Sequence, residues 1–149
     1  MIPDPKPIYR TALIGLGDIA ETGHLPALMK HSRFELTCVC DPDPKRRMSL
    51  SAMAGGAVAS ADASEIWERG GVDAVVLALH PEASVDIAIE FLQRGIAVLD
   101  EKPLASSLDG AGRLRDAAAS SLYQIGFVFR YSDFASGIKS IISRIGSPQ

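Results

Sequence analysis

Tyr9-Arg10-Thr11-Ala12-Leu13-Ile14-Gly15-Leu16-Gly17-Asp18-Ile19-Ala20 carries the strongest fold signal in the chain. Thr11 to Ile14 form a short, mostly apolar run suited to a buried strand. Gly15-Leu16-Gly17-Asp18-Ile19-Ala20 then follows the G-x-G-x-x-G/A spacing that turns a strand into a helix. The first glycine permits a tight reversal, the second lets a pyrophosphate approach the backbone, and the small third residue lets the helix pack close to the strand. The helix N-terminus presents unpaired N–H groups and the positive end of its dipole to the phosphates. Gly15, Leu16, Gly17, Asp18, Ile19 and Ala20 are therefore the expected dinucleotide cradle. Glycine pairs follow strands in many α/β proteins, so the reading rests on what surrounds this one.

Outward from it, strands and helices alternate. A helix is expected from Asp18 to Lys30, interrupted near Pro26, which removes a backbone donor. Phe34 to Cys40 is a second strand, ending at Asp41-Pro42-Asp43-Pro44. Lys45 to Ala54 reads as a helix closed by Gly55-Gly56, Ala57 to Ala59 as a third strand, and Ala63 to Arg69 as a small helix stopped by Gly70-Gly71. Val72 to Leu79 is the clearest central strand, apolar without alternation as a parallel strand buried on both faces requires. Pro81 to Arg94 places Val85, Ala88, Ile89 and Leu92 on one helix face. Ile96 to Leu99 is a fifth strand, Leu108 to Ser120 a helix, Leu122 to Phe129 a sixth strand, and Ser132 to Ser143 a final helix. The alternation predicts a doubly wound, six-stranded parallel sheet of the Rossmann type in a three-layer αβα arrangement. Residues 1–8, with three prolines, are expected to be an extended tail, and residues 9–149 a single dinucleotide-binding domain.

Composition agrees with one globular domain. The chain has 149 residues, 47% hydrophobic and 22% charged, with a formal net charge of −3. Lys45-Arg46-Arg47 is its longest basic run, too short to suggest nucleic acid. Ala74 to Leu79 is far shorter than a membrane span. The N-terminus lacks the apolar region of a signal peptide, so a cytoplasmic protein is expected. Cys38 and Cys40 would point the same way on a strand, cannot bridge each other comfortably, and lack the second ligand pair of a zinc site. They read as reduced core thiols, and no metal is expected.

In a doubly wound sheet, ligands bind outside the carboxyl ends of the strands. Asp41, at the end of strand two and about twenty residues beyond the glycines, is placed to accept hydrogen bonds from the adenosine ribose hydroxyls. The alternative is a capping acid before a proline turn. As a ribose ligand it would repel a 2′-phosphate and favour NAD over NADP, a preference that Arg46 or Arg47 can soften. Strand four ends in Leu79-His80-Pro81, where His80 either contacts the ligand or begins a helix. Strand five ends in Glu101-Lys102-Pro103. Lys102 is either a surface lysine or a group that hydrogen-bonds a substrate oxygen and assists its proton transfer.

Taken together, the G-x-G-x-x-A loop, the acid after strand two, the x-Pro helix start after strand four and Glu101-Lys102-Pro103-Leu104-Ala105 resemble the Gfo/Idh/MocA oxidoreductases. His24-Leu25-Pro26-Ala27-Leu28, Gly126-Phe127 before Arg130-Tyr131, and Ile145-Gly146 match as well. The resemblance implies NAD(P)-dependent hydride transfer at a sugar, cyclitol or related hydroxyl. It makes Lys102 the lysine that contacts the reacting substrate, and places Leu79, His80, Glu101 and Lys102 along the cofactor. Two positions depart from the family pattern: His80 stands where threonine is usual before the proline, and Val85 where a histidine is usual. The family's second α/β domain, which carries the catalytic histidine, its aspartate and most of the substrate pocket, is expected to begin where this chain stops at Gln149. His24, His31 and His80 do not match that histidine by motif. The expectation is a cofactor domain that binds NAD in preference to NADP and turns over a small polyol or sugar-like substrate only when completed. The alternative is a non-catalytic nicotinamide-binding sensor or partner module. S-adenosylmethionine binding gives no reason for Glu101-Lys102-Pro103. Uncovered apolar residues around Phe134, Ile138 and Ile141 favour self-association, so a homo-oligomer joins the expected partners.

Overall fold

A computed structural model of the chain describes residues 7–145. The expected extended tail falls almost wholly on residues 1–6, and the closing segment on residues 146–149; both lie outside the described residues. The strands are β1 (Tyr9–Ile14), β2 (Phe34–Cys40), β3 (Val58–Ser60), β4 (Ala74–Leu77), β5 (Ala97–Asp100) and β6 (Tyr123–Ile125). They form one sheet in the order β3-β2-β1-β4-β5-β6, with every neighbouring pair parallel. The order runs outward in both directions from β1, which puts a switch point between β1 and β4. The expected doubly wound Rossmann sheet is present.

Alternate residues of each central strand feed opposite faces. Ala12, Ile14, Cys38, Cys40, Val75 and Leu77 pack with Ile66 of α3 (Ser64–Arg69), with Ala88, Phe91 and Leu92 of α4 (Pro81–Gln93) and with Leu114 of α5 (Leu108–Ala117). Leu13, Val39 and Val76 point the other way, to Leu25 and Leu28 of α1 (Leu25–Lys30) and Leu50 of α2 (Pro44–Met53). Burial on both faces explains why the inner parts of these strands, Ala12 to Ile14, Cys38 to Cys40 and Ala74 to Leu77, read as unbroken apolar runs. Cys38 and Cys40 share a face as expected, both buried and both free. Burial, the largest cause, pushes the Cys40 thiol up to about 12, so it stays protonated and inert.

Several element ends differ from expectation. The interruption of the first helix lies upstream of Pro26: residues 20–24 form a wide π turn, with the Leu25 N–H reaching back to the Ala20 carbonyl. Pro26, which has no N–H to donate, falls in the first turn of the α-helix that follows, where none is needed. β4 is shorter than expected, because the Asp73 carboxylate pairs with Arg10 before it and Ala78 and Leu79 bend over the glycine loop after it. β5 extends to Asp100. β6 is only three residues long. Gly126 N–H still bonds the Asp100 carbonyl, but tight local bonds from Phe127 to Ile125 and from Val128 to Gly126 turn the chain into a single 3-10 turn over Val128–Tyr131.

The last helix, α6 (Asp133–Ile145), leaves Phe134, Ile138 and Ile141 exposed, as the sequence led one to expect. On the α1 side of the sheet, a trough of about 400 Å³ opens between α1 and strands β1, β4, β5 and β6. Val76, Leu99 and Leu122 form part of its floor, and Ala27 and His31 part of its wall.

Candidate functional site: the carboxyl ends of the strands

The glycine loop is built by contact and by emptiness. Gly15 has φ +82, and a Cβ added there would lie 2.4 Å from the Ala78 carbonyl oxygen. Only glycine fits that crossing of β1 and the end of β4. Leu79 abuts the same point, its side chain 2.8 Å from the same added carbon. Gly17 is the reverse case: a Cβ there would meet nothing within 4 Å. Its backbone faces open space, as a loop that receives a pyrophosphate requires. Ala20 is fully buried beneath the loop, so the small third residue serves helix–sheet packing. Asp18 and Ile19 stand exposed in the first turn, where main-chain N–H groups have no acceptor within the helix. Leu16 contributes to the protein rather than to the crevice: its side chain is in the core and its N–H is taken by Asp41.

Asp41 is buried at the end of β2. Oδ2 accepts from the Leu16 N–H at 2.8 Å and Oδ1 from the Asp43 N–H at 2.8 Å. The carboxylate thus performs the turn role and locks the glycine loop to β2, leaving lone pairs on both oxygens for further donors. Gly15 N–H adds a bond to the Cys40 carbonyl at 2.9 Å. Arg47 donates to the carbonyls of Asp41 and Pro42, and Arg46 lies 3.9 Å from Asp43. Both cations named in the sequence reading therefore gather at this turn.

His80 is the N-cap of α4; its carbonyl accepts from Ala83 and Ser84, while its imidazole is exposed and makes no capping bond. Val85, one turn on, is buried with α4 in the core beside Gly110.

The end of β5 brings together more than the sequence indicated. Asp100 is 1% exposed; Ser84 Oγ donates to Oδ1 at 2.6 Å and Tyr123 OH to Oδ2 at 3.0 Å. Burial raises the Asp100 carboxyl above its ordinary range, and these two hydrogen bonds oppose the rise. Burial also raises the Tyr123 phenol, assisted by the neighbouring Asp100 charge. Glu101 donates its N–H to the Leu77 carbonyl and directs its side chain to His24, whose Nε2 donates to Oε1 at 2.9 Å. Lys102 follows with its side chain exposed, and the Lys102–Pro103 peptide is cis. Asp100 and His24 are the residues the sequence reading did not assign. An acid closing an apolar strand was the available sign for Asp100; for His24 it was the match of His24-Leu25-Pro26-Ala27-Leu28 to the family pattern, which assigned it no role.

The sequence pattern described as the oxidoreductase family, NAD-binding Rossmann fold, of Gfo/Idh/MocA matches residues 9–127. The chain belongs to the Gfo/Idh/MocA family. It is 31% identical over 137 residues to an inositol 2-dehydrogenase of Arthrobacter sp. (strain FB24), covering 89% of this chain and 40% of that protein. It is 30% identical over 110 residues to the rhizopine catabolism protein MocA of Rhizobium meliloti, covering 74% and 34%. Among solved structures, the WlbA dehydrogenase of Bordetella pertussis, in complex with NADH and UDP-GlcNAcA, superposes with a TM-score of 0.86 at 28% identity over 95% of this chain and 41% of that one. The chain thus spans about 40% of the length of the first curated relatives it matches. The matched residues are the family's NAD-binding Rossmann domain. None of the helices among the described residues is long and apolar enough to cross a membrane, and no cluster of His, Cys, Asp and Glu there could hold a metal ion.

Proposed function

We propose that this chain holds NAD(H) across the carboxyl ends of β1, β2, β4 and β5. Completed by a substrate-binding domain, it would serve hydride transfer at a hydroxyl of a polyol or sugar-like compound. One observation carries the reading: Gly15 is packed where only glycine fits, while Gly17 beside it opens to free space. Bound NAD supplies the hydride acceptor; the rest is done by the chain. The N–H groups of residues 17–19 and the helix dipole receive the phosphates. The free lone pairs of Asp41 receive the ribose hydroxyls and its charge disfavours a 2′-phosphate. Leu79 and His80 line the crevice at β4, and Glu101 and Lys102 at β5. The exposed Lys102 ammonium hydrogen-bonds the substrate oxygen and steadies the charge developing there, while the histidine of the completing domain would take the proton. Such chemistry belongs in the cytoplasm, where NAD is available.

The test is a titration of the purified chain with NADH and, separately, NADPH, following energy transfer from Trp67, the only tryptophan. Saturable binding that prefers NADH and is lost in Gly17→Val supports the reading. A folded chain that binds neither nucleotide refutes it. A second reading, a nicotinamide-binding sensor without turnover, draws on His80 and on Val85, which is buried in the core where a crevice histidine is usual. Redox activity with inositols or nucleotide sugars after a family second domain is supplied would exclude it. Exposed Phe134, Ile138 and Ile141 add a homo-oligomer as the proposed partner.

A further inference from the structure

Glu101 and Lys102 are adjacent opposite charges at the mouth of the crevice, yet no ion pair joins their side chains among the described residues. His24 Nε2 donates to Oε1 at 2.9 Å, and the main-chain N–H of Lys102 donates to Oε2 at 3.2 Å. The pair is well shielded, with His24 19% and Glu101 13% exposed at the side chain. Gly126 lies against its third side, where an added Cβ would be 3.4 Å from Oε1. The nearby Asp100 carboxylate is already held by Ser84 and Tyr123. No ion pair engages the Lys102 ammonium among the described residues, and its side chain is exposed. His24 reaches this position from the wide π turn over Ala20–His24, a distortion found disproportionately at functional sites.

We infer that His24 is a positioning residue that holds the Glu101 carboxylate away from Lys102, leaving the lysine ammonium free for a substrate oxygen. The inference rests on the reading of Lys102 as the substrate-facing group. Without the His24 bond, the next residue in the chain, Lys102, offers Glu101 a cation. A carboxylate so paired competes with any substrate oxygen for the ammonium and keeps it protonated. The role is therefore to prevent an ion pair.

The test measures acetylation of Lys102 in the full chain by an N-hydroxysuccinimide ester, read by mass spectrometry with exposed Lys45 as the internal reference. His24→Ala should slow Lys102 by about two- to fivefold, the range of an exposed ion pair. Adding Glu101→Gln to His24→Ala should restore the original rate, and His24→Gln, which keeps a donor, should stay near it. Loss of packing alone would not be repaired by removing the carboxylate. An unchanged or faster Lys102 in His24→Ala, or no restoration in the double variant, overturns the inference. Should His24→Ala fail to fold, Glu101→Gln alone decides: a change within about twofold is expected, whereas a severalfold acceleration would mean that Glu101 already pairs with Lys102. NADH titration of the same samples separates the two levels. Absent binding by the parent chain sinks the cofactor reading, whereas intact binding with an unmoved Lys102 rate sinks only the role of His24.

Discussion

The carboxylates at the ends of β2 and β5 occupy equivalent places in the sheet but are held by different means. Asp41 takes its bonds from two main-chain N–H groups, those of Leu16 and Asp43. Asp100 and Glu101 take most of theirs from side chains, Ser84 of α4, Tyr123 of β6 and His24 of the π turn, with one main-chain donor, the Lys102 N–H, on Glu101. A main-chain donor is present whatever residues flank it, so the β2 end depends on one acid and a glycine loop. The β5 end depends on residues from three further elements. The first arrangement is suited to a part that every dinucleotide needs, the second to a part whose chemistry is adjusted.

Four substitutions test that contrast. Gly15→Ala should be the most severe, because its Cβ would strike the Ala78 carbonyl and its φ of +82 disfavours any side chain. A loss of about 3 kcal/mol or more is expected in urea unfolding, together with loss of NADH binding. Asp41→Ala strips two N–H groups of their acceptor, destabilising the chain by about 2–4 kcal/mol. NADH affinity should fall at least about tenfold with the ribose contact, each tenfold being about 1.4 kcal/mol. Retained affinity in that variant would make Asp41 a turn residue only.

Asp100→Asn should have a smaller effect whose sign depends on pH. Because burial raises its carboxyl, the folded chain keeps a proton that the unfolded chain has released. Its favourable contribution is therefore complete below the ordinary carboxylate value and is lost as pH rises through the raised one. The melting temperature of the parent chain minus that of Asp100→Asn should fall as pH rises above about 4, the ordinary carboxylate value. A difference that rises instead would contradict the assignment. Taking the difference cancels the opposite slopes of Asp62 and Asp73, which their hydrogen bonds lower. The smallest effect should be that of Ile138→Asp on exposed α6. Stability should move by less than about 0.5 kcal/mol, while concentration-dependent association in sedimentation velocity should diminish. A parent chain that remains monomeric at high concentration removes the oligomer proposal.

Much of the fold was legible because it is local. Unbroken apolar runs at Leu13, Val39 and Val76 report burial on both faces, and the spacing of Gly15, Gly17 and Ala20 reports the turn. Element ends were less legible where side chains decide them. Asp73 closes the start of β4 through Arg10, and the bonds around Gly126 end β6 far short of Phe129. The helix break was tied to Pro26 by chemistry, but its form, a widened turn before the proline, came from how that helix seats on the sheet.

By itself the sequence determined a parallel doubly wound sheet, a glycine loop at its first crossing, an acid at the end of β2 and a lysine at the end of β5. Those features rest on neighbouring residues and on periodicity, which need no knowledge of distant contacts. Tertiary structure alone decided that His24 meets Glu101 across 77 positions of sequence and that Asp100 sits between Ser84 and Tyr123. Such bonds exist only once a helix, two strands and a turn have packed at particular angles, and a hydrogen bond is lost with an error of less than an ångström.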